Sequence, residues 1–235
     1  LSWRSLWRDL RAGDLRLLIV AVALAVAALT AVGFFADRIK GGLQRDARQL
    51  LGGDAVVSSD NPPAVAFQEK ARALGLSTAE TVGFPTMGRA TDAQGGASKL
   101  VALKAVPPGY PLRGQLTVGQ QPGDAGRTTR EIPAPGEAWV DAPLLDALNL
   151  KMGDALLLGD ASLRVARLIV NEPDRGAGFM NFAPRVMINA RDVAATGLVQ
   201  PASRVTYRVA VAGDDRRVRE FVAWATEQVK RGEVR

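Results

Sequence analysis

The sequence contains no cysteine and no histidine. The first absence excludes disulfides, thiolate nucleophiles and Cys-ligated metals; it suits a bacterial envelope protein, and a cysteine-free cytosolic protein would look the same. The second removes the side chain that usually moves protons near neutral pH and that most often ligates zinc or iron. Phosphate-binding loops are missing too: there is no Gly-x-x-x-x-Gly-Lys-Ser/Thr run and no Gly-x-Gly-x-x-Gly after a strand. Gly176-Ala177-Gly178-Phe179 has too few glycines, with no helix pattern behind it. Ser58, Ser59 and Ser98 have no partner base, and Asp214-Asp215 reads as a helix cap. No catalytic residue, cofactor or metal is therefore expected, and a membrane-anchored enzyme is the weakest of the function classes considered.

Charge is also missing where it matters most. From Leu17 to Ala36 no residue is charged, and only Thr30 is polar. At 1.5 Å per residue, such a helix spans about 30 Å, the thickness of a bilayer's hydrocarbon core. Hydrophobic residues make up an ordinary 47% of the chain, so the average conceals this segment. A cleaved signal peptide is the competing reading, with Arg4, Arg8, Arg11 and Arg16 as its basic lead-in. The apolar run, however, exceeds the usual 7–15 residues or so of such a region. The best cleavage candidate, Ala31-Val32-Gly33, runs into Phe34-Phe35 and a continuing helical pattern. A retained transmembrane helix over residues 17–36 is expected.

Before the span, Trp3, Leu6, Trp7 and Leu10 recur at helical spacing, with Arg4, Arg8 and Arg11 on the other side. Residues 1–16 thus read as an amphipathic helix in the bilayer interface, with Trp3, Arg4, Trp7 and Arg8 as interface contacts and membrane lipid as partner. Packing of the two indoles on a neighbouring protein helix is the alternative. Basic residues flank both ends of the span, Arg38, Lys40, Arg45 and Arg48 following it, so charge counting gives no orientation. Beyond it, Ile39, Leu43, Ala47, Leu50 and Leu51 continue an apolar stripe. The helix is expected to run on as a stalk over residues 37–53, roughly 50 Å from the start of the span, stopped by Gly52-Gly53.

The rest alternates between strand and helix patterns. A strand over 54–59 precedes Asp60-Asn61-Pro62-Pro63 and a helix whose face is Val65, Phe67, Ala71 and Leu74. Residues 78–90 and 98–106 read as strands. Residues 107–137 carry many prolines and glycines and read as loops with short edge strands. Then come a strand at 137–140, a short helix at 142–148, a hairpin from 155–158 to 163–170, and strands at 184–189 and 205–211. A final helix, capped by Asp214 or Asp215, presents Val218, Phe221, Val222, Ala225 and Val229. The fold class is α+β. Its opening and closing parts, residues 54–106 and 202–231, form one subdomain, and residues 107–201 form a β-rich inserted one. The net charge of +6 is scattered among 24 acidic residues, so no nucleic-acid partner is expected.

Two stretches carry a family resemblance. One is Trp7-Arg8-Asp9-Leu10-Arg11-Ala12-Gly13-Asp14-Leu15-Arg16, continuing through the span to Arg45-Asp46-Ala47-Arg48-Gln49-Leu50-Leu51-Gly52-Gly53-Asp54. The other runs from Ala138-Trp139-Val140-Asp141 through Leu148-Asn149-Leu150-Lys151-Met152-Gly153-Asp154 to Val170. Together with Pro184-Arg185-Val186-Met187-Ile188-Asn189, they resemble permease subunits of FtsX/MacB-type ABC transporters, in the YbbP-like branch. The resemblance implies a bacterial inner-membrane protein with its N-terminus cytoplasmic and its main domain periplasmic, a MacB-like core with a porter-like subdomain. It implies a separate cytoplasmic ABC-type ATPase, with a second permease copy or a periplasmic protein as further candidate partners. The substrate it suggests is an envelope lipid, lipoprotein or amphiphile. Such permeases continue into further transmembrane helices, so the chain reads as an N-terminal part. A single-pass periplasmic sensor or scaffold without an ATPase is the alternative function.

Within the soluble part, Asp174–Ala183 is a Gly-containing loop that holds Phe179, Met180 and Phe182 close together. Two aromatics and a methionine suit an adaptable apolar contact, or else a hydrophobic seat in their own domain. The two readings separate on the double variant Phe179→Ser with Phe182→Ser. A contact loop keeps its melting temperature and loses the function of the full-length permease. Core rings instead cost stability on the scale of a truncated buried Phe, about 3–5 kcal/mol.

Overall fold

The computed structural model describes residues 14–176, 182–200 and 203–230. The chain divides into two compact units, Leu1–Ala47 and Arg48–Arg235. The first is the greater part of helix α1 (Asp14–Leu51), which passes through Gly41-Gly42 without a break. Leu17–Lys40 is, among the described residues, the one helical stretch long and apolar enough to cross a membrane, and all of it is exposed. The single hydroxyl within it is satisfied locally, Thr30 Oγ1 donating to the Val26 carbonyl at 2.7 Å. In hydrocarbon that back-bond removes the penalty of an unpaired polar group. Trp3, Arg4, Trp7 and Arg8 lie outside the described residues.

The second unit opens with the last turn of α1 and continues as one large sheet with helices on part of one face. At its outer end β1 (Ala55–Ser59), β10 (Thr206–Ala212) and the first half of β2 (Ser77–Ala90) run antiparallel. Helices α2 (Val65–Ala73) and α4 (Asp215–Lys230) cover one side of these strands. Phe67 and Ala71 of α2 meet Val218, Phe221 and Ala225 of α4 over Val209 and Val211. Trp224 stands edge-on to Phe67, ring centroids 5.2 Å apart. The buried stripes are narrower than the apolar faces in the sequence: Val65, Val222 and Val229 are exposed. Three strands offer room for one helical stripe each, and residues at the flank of that stripe stay wet.

The second half of β2 leads into a closed ring. β2 pairs with β3 (Ser98–Val106), β3 with β9 (Arg185–Asn189) in parallel, and β9 with β6 (Glu137–Asp141). β6 runs parallel to β8 (Ala161–Asn171), which forms a hairpin with β7 (Ala155–Leu158), and β7 returns to β2. Six strands thus close a small barrel. Inward-facing side chains such as Leu103, Val140, Leu156, Leu163, Val186 and Ile188 fill it, with Leu144, Leu145 and Leu148 of α3 (Ala142–Leu148) as a plug. Closure removes the open edges that the parallel pairs would otherwise leave. The strands β4 (Leu116–Gly119) and β5 (Arg127–Thr129) extend the sheet beyond β8. A third apolar cluster, including Tyr110, Leu116, Trp139 and Met187, lies under this extension.

Candidate functional site: a buried ion network beside an open cleft

From Leu100 to its end strand β3 is apolar but for Lys104, and its last six residues are buried, Lys104 being 5% exposed. A lone ammonium there would cost several kcal/mol, so its surroundings must neutralise it. Lys104 Nζ donates to Glu172 Oε1 at 2.7 Å, to Asp174 Oδ2 at 2.8 Å and to the Tyr110 hydroxyl at 2.8 Å. The Tyr110 hydroxyl in turn donates to Asp174. Burial, then the Asp174 and Glu172 charges, push the Tyr110 phenol well above its ordinary value. It therefore stays a donor while accepting from Lys104.

The network continues past Glu172. Its second oxygen accepts from Arg185 Nε at 2.7 Å. Burial alone would raise the Glu172 carboxyl, but the Lys104 and Arg185 charges and hydrogen bonds outweigh it and hold the group below the usual range. Arg185 reaches the Arg175 carbonyl, and Arg175 clamps Asp141 at 3.2 and 2.5 Å. Asp141 also accepts from the Arg185 backbone N–H at 2.8 Å. Three cations (Lys104, Arg175, Arg185) therefore face three anions (Asp141, Glu172, Asp174). Asp174 and Arg175 open the aromatic loop and Arg185 follows it, so the network pins both of its ends. Phe182 in that loop is 87% exposed, while Phe179 and Met180 lie outside the described residues.

A second ionic knot holds the last turn of α1. The side chain of Asp54, 1% exposed, accepts from Arg113 Nε at 3.0 Å and Nη2 at 2.6 Å, and from the Gly213 N–H at 2.9 Å. Arg48 Nε stands 3.6 Å from Asp54, and its Nη2 reaches Asp215 at 2.8 Å. Burial raises the Asp54 carboxyl, but the Arg113 and Gly213 hydrogen bonds and the Arg113 and Arg48 charges bring it below its ordinary value.

Gly52 joins the two knots. It closes α1 in the left-handed region, at φ 70°, and its carbonyl accepts from the N–H groups of Leu112 and Arg113. A Cβ at this position would stand 3.0 Å from Asp174 Cγ and Oδ2. Only glycine meets both the dihedral and the clearance.

Above Lys104 lies a cleft of about 310 Å³. Its floor follows from register: Arg208 lies across from Thr81, Thr206 across from Gly83, and Gly83 across from Lys104. Of this assembly, sequence reasoning had only the ends of the aromatic loop and the Gly52-Gly53 stop. The available signal was a lone lysine inside the apolar run Leu100-Val101-Ala102-Leu103-Lys104-Ala105-Val106.

No family model matches the chain. It is 35% identical over 227 residues to an uncharacterized ABC transporter permease, YbbP, of Escherichia coli (strain K12). The match covers 97% of this chain and 27% of that protein, so the chain spans about a quarter of the length of its curated relative. Among solved structures it is similar to the extracellular domain of the noncanonic ABC-type transporter YknZ from Gram-positive bacteria (TM-score 0.45, 9% identity, 71% of this chain and 88% of that one). It is likewise similar to the periplasmic region of MacB from Actinobacillus actinomycetemcomitans (TM-score 0.43, 12% identity, 79% and 87%).

Both lowered carboxyls give stability that is complete above their unfolded values, about 4, and that is lost as pH falls through the folded ones. Melting of the full chain in neutral detergent is expected to be flat from about pH 8 to about pH 5 and to drop below about pH 4. Glu172→Gln is expected to cost about 3–5 kcal/mol at pH 7, because it breaks a buried pair from one side, and to flatten the acid limb.

Proposed function

We propose, on the premise that the chain is ABC-transporter-permease-like over nearly its whole length, that it is the part of such a permease that carries motion from the membrane to an extracytoplasmic domain. The identity shared with YbbP across 97% of the chain carries this reading. In this proposal the N-terminus is cytoplasmic, Leu17–Lys40 spans the bacterial inner membrane, and residues 54–235 are periplasmic. The partner is a separate cytoplasmic ABC-type ATPase whose cycle displaces the span.

The knots around Asp54 and Asp174 support a mechanical role. A displacement arriving at the last turn of α1 meets Arg48, Gly52 and Asp54, all fixed in the domain, and Gly52 has no clearance from Asp174. The ions at Asp174 lead on to the aromatic loop, which we assign as a contact for a substrate or periplasmic partner, with Phe179, Met180 and Phe182 as its apolar residues. The substrate class in this reading is an amphiphile of the envelope, a lipid or a lipoprotein. The division into a porter-like subdomain (residues 54–106 and 202–231) and an insert (residues 107–201) belongs to the same proposal, with β2 and β3 pairing across it, to β7 and β9.

Two measurements on the full-length permease test this. A reporter active only in the periplasm, fused after Lys230, is expected to be active, and a cytoplasm-only reporter there silent. A co-expressed ABC-type ATPase is expected to copurify with the tagged permease in stoichiometric amount. The reversed reporter pattern would overturn the topology. Absence of the ATPase would overturn the permease role in favour of a single-pass sensor or scaffold.

A further inference from the structure

The cleft beside Lys104 is charged out of balance. At its base three cations, Lys104 and Arg185 buried and Arg175 half-buried, are matched by three carboxylates. Its lining also includes Arg204 and Arg208, and among the described residues neither has a carboxylate partner. Arg204 is exposed, whereas Arg208 is half-buried in strand β10, on the face away from α2 and α4. Holding a guanidinium half out of water with no counter-ion is unfavourable, and two such groups on one cleft repel each other.

Other features of the cleft describe what would relieve this. Pro85, exposed on the same face of β2 as Gly83, lines it beside the arginines, so it offers an apolar edge next to a cationic mouth. Thr81 and Thr206 add hydroxyls on the same face, through their register with Arg208 and Gly83. Gly83 leaves the floor low; a Cβ there would stand 3.6 Å from the Leu103 carbonyl, ordinary contact, while anything longer would rise into the cleft. Guanidinium forks are matched in shape to carboxylate and phosphate oxygens. An apolar cavity of a few hundred Å³ with a few convergent polar groups is the usual form of a small-molecule site.

We infer that this cleft binds the oxyanion headgroup of an amphiphile, a phosphate or carboxylate held by Arg204 and Arg208, with the first carbons of its apolar chain against Pro85. The inference rests on the amphiphile substrate class proposed above and gives it a charge and a place. The balanced network below serves as a neutral base: it adds no attraction of its own, and the ligand's charge is set by the two unmatched arginines.

The test is binding to the full chain in nanodiscs of neutral lipid, with no ATPase present, followed by ligand-observed NMR. The probes are hexyl phosphate, hexanoate, inorganic phosphate and hexanol. Hexyl phosphate or hexanoate is expected to bind, with inorganic phosphate and hexanol each at least about tenfold weaker, because each loses one half of the contact. Arg204→Ala with Arg208→Ala is expected to weaken the binding probe at least about tenfold at an unchanged melting temperature, and raised salt to weaken it further. Gly83→Leu is expected to reduce binding of the alkyl probes while leaving both arginines in place. Equal binding by the double-arginine variant, equal binding of inorganic phosphate, or no binding of any probe by the folded wild type would each overturn the inference. Because no ATPase takes part, such a failure leaves the permease reading standing, and loss of the ATPase partner would leave this binding intact.

Discussion

A single ammonium in an apolar strand governs the arrangement of the domain. Lys104 sits where a hydrophobic side chain would cost nothing, and its charge requires carboxylates brought from elsewhere in the chain. Glu172 and Asp174 come from the segment after β8, and Tyr110 comes from the loop after β3. Glu172 then needs Arg185, at the start of β9, for its second oxygen. Three separate stretches are thus tied to one point, and the loop between residues 174 and 183 is anchored at both ends. Well-packed apolar residues in place of the whole cluster would serve stability as well or better, whereas changing Lys104 alone would strand buried carboxylates; the ion cluster adds a fixed register between these segments.

In the mechanical role we propose, that fixed register gives the end of α1 something definite to act on. The helix stops at Gly52 because the chain must turn left-handed there, and it turns directly against the Asp174 carboxylate. Arg48 and Arg113 converge on Asp54 from either side of that turn. Packed ionic contacts of this kind shift as a unit rather than bending gradually, because any one separation leaves a buried charge unmatched. The open cleft lies beside the same ammonium, so the ligand site we infer and the end of α1 share Asp174 as a common neighbour.

Much of the secondary structure was legible from pattern alone. The uncharged run from Leu17, the strands of β2 and β3, the short helix at Ala142–Leu148 and the final helix capped by Asp214 all carry local signals, and all are present. Ring closure was not legible. It depends on β7 returning to β2 and on two parallel pairings, which are non-local and leave no mark on the spacing of residues within a strand. The network was not read from the sequence: its one local signal, Lys104 inside an apolar run, was passed over, and the carboxylates that pair with it lie 68 and 70 residues away. Helix faces were overread at Val65, Val222 and Val229, since periodicity shows which residues are apolar and not how wide the covering surface is.

The central claim is that the turn at Gly52 and the ions around Lys104 form one mechanical element. Hydrogen–deuterium exchange on the full chain carrying Gly52→Ala tests it most directly. The added methyl meets a backbone at positive φ and the Asp174 side chain, so exchange is expected to quicken in peptides covering residues 100–106 and 172–176 as well as 48–54, while α4 and its packing on α2 keep their protection. Faster exchange confined to residues 48–54, with β3 and the Glu172–Asp174 segment unchanged, would contradict the account.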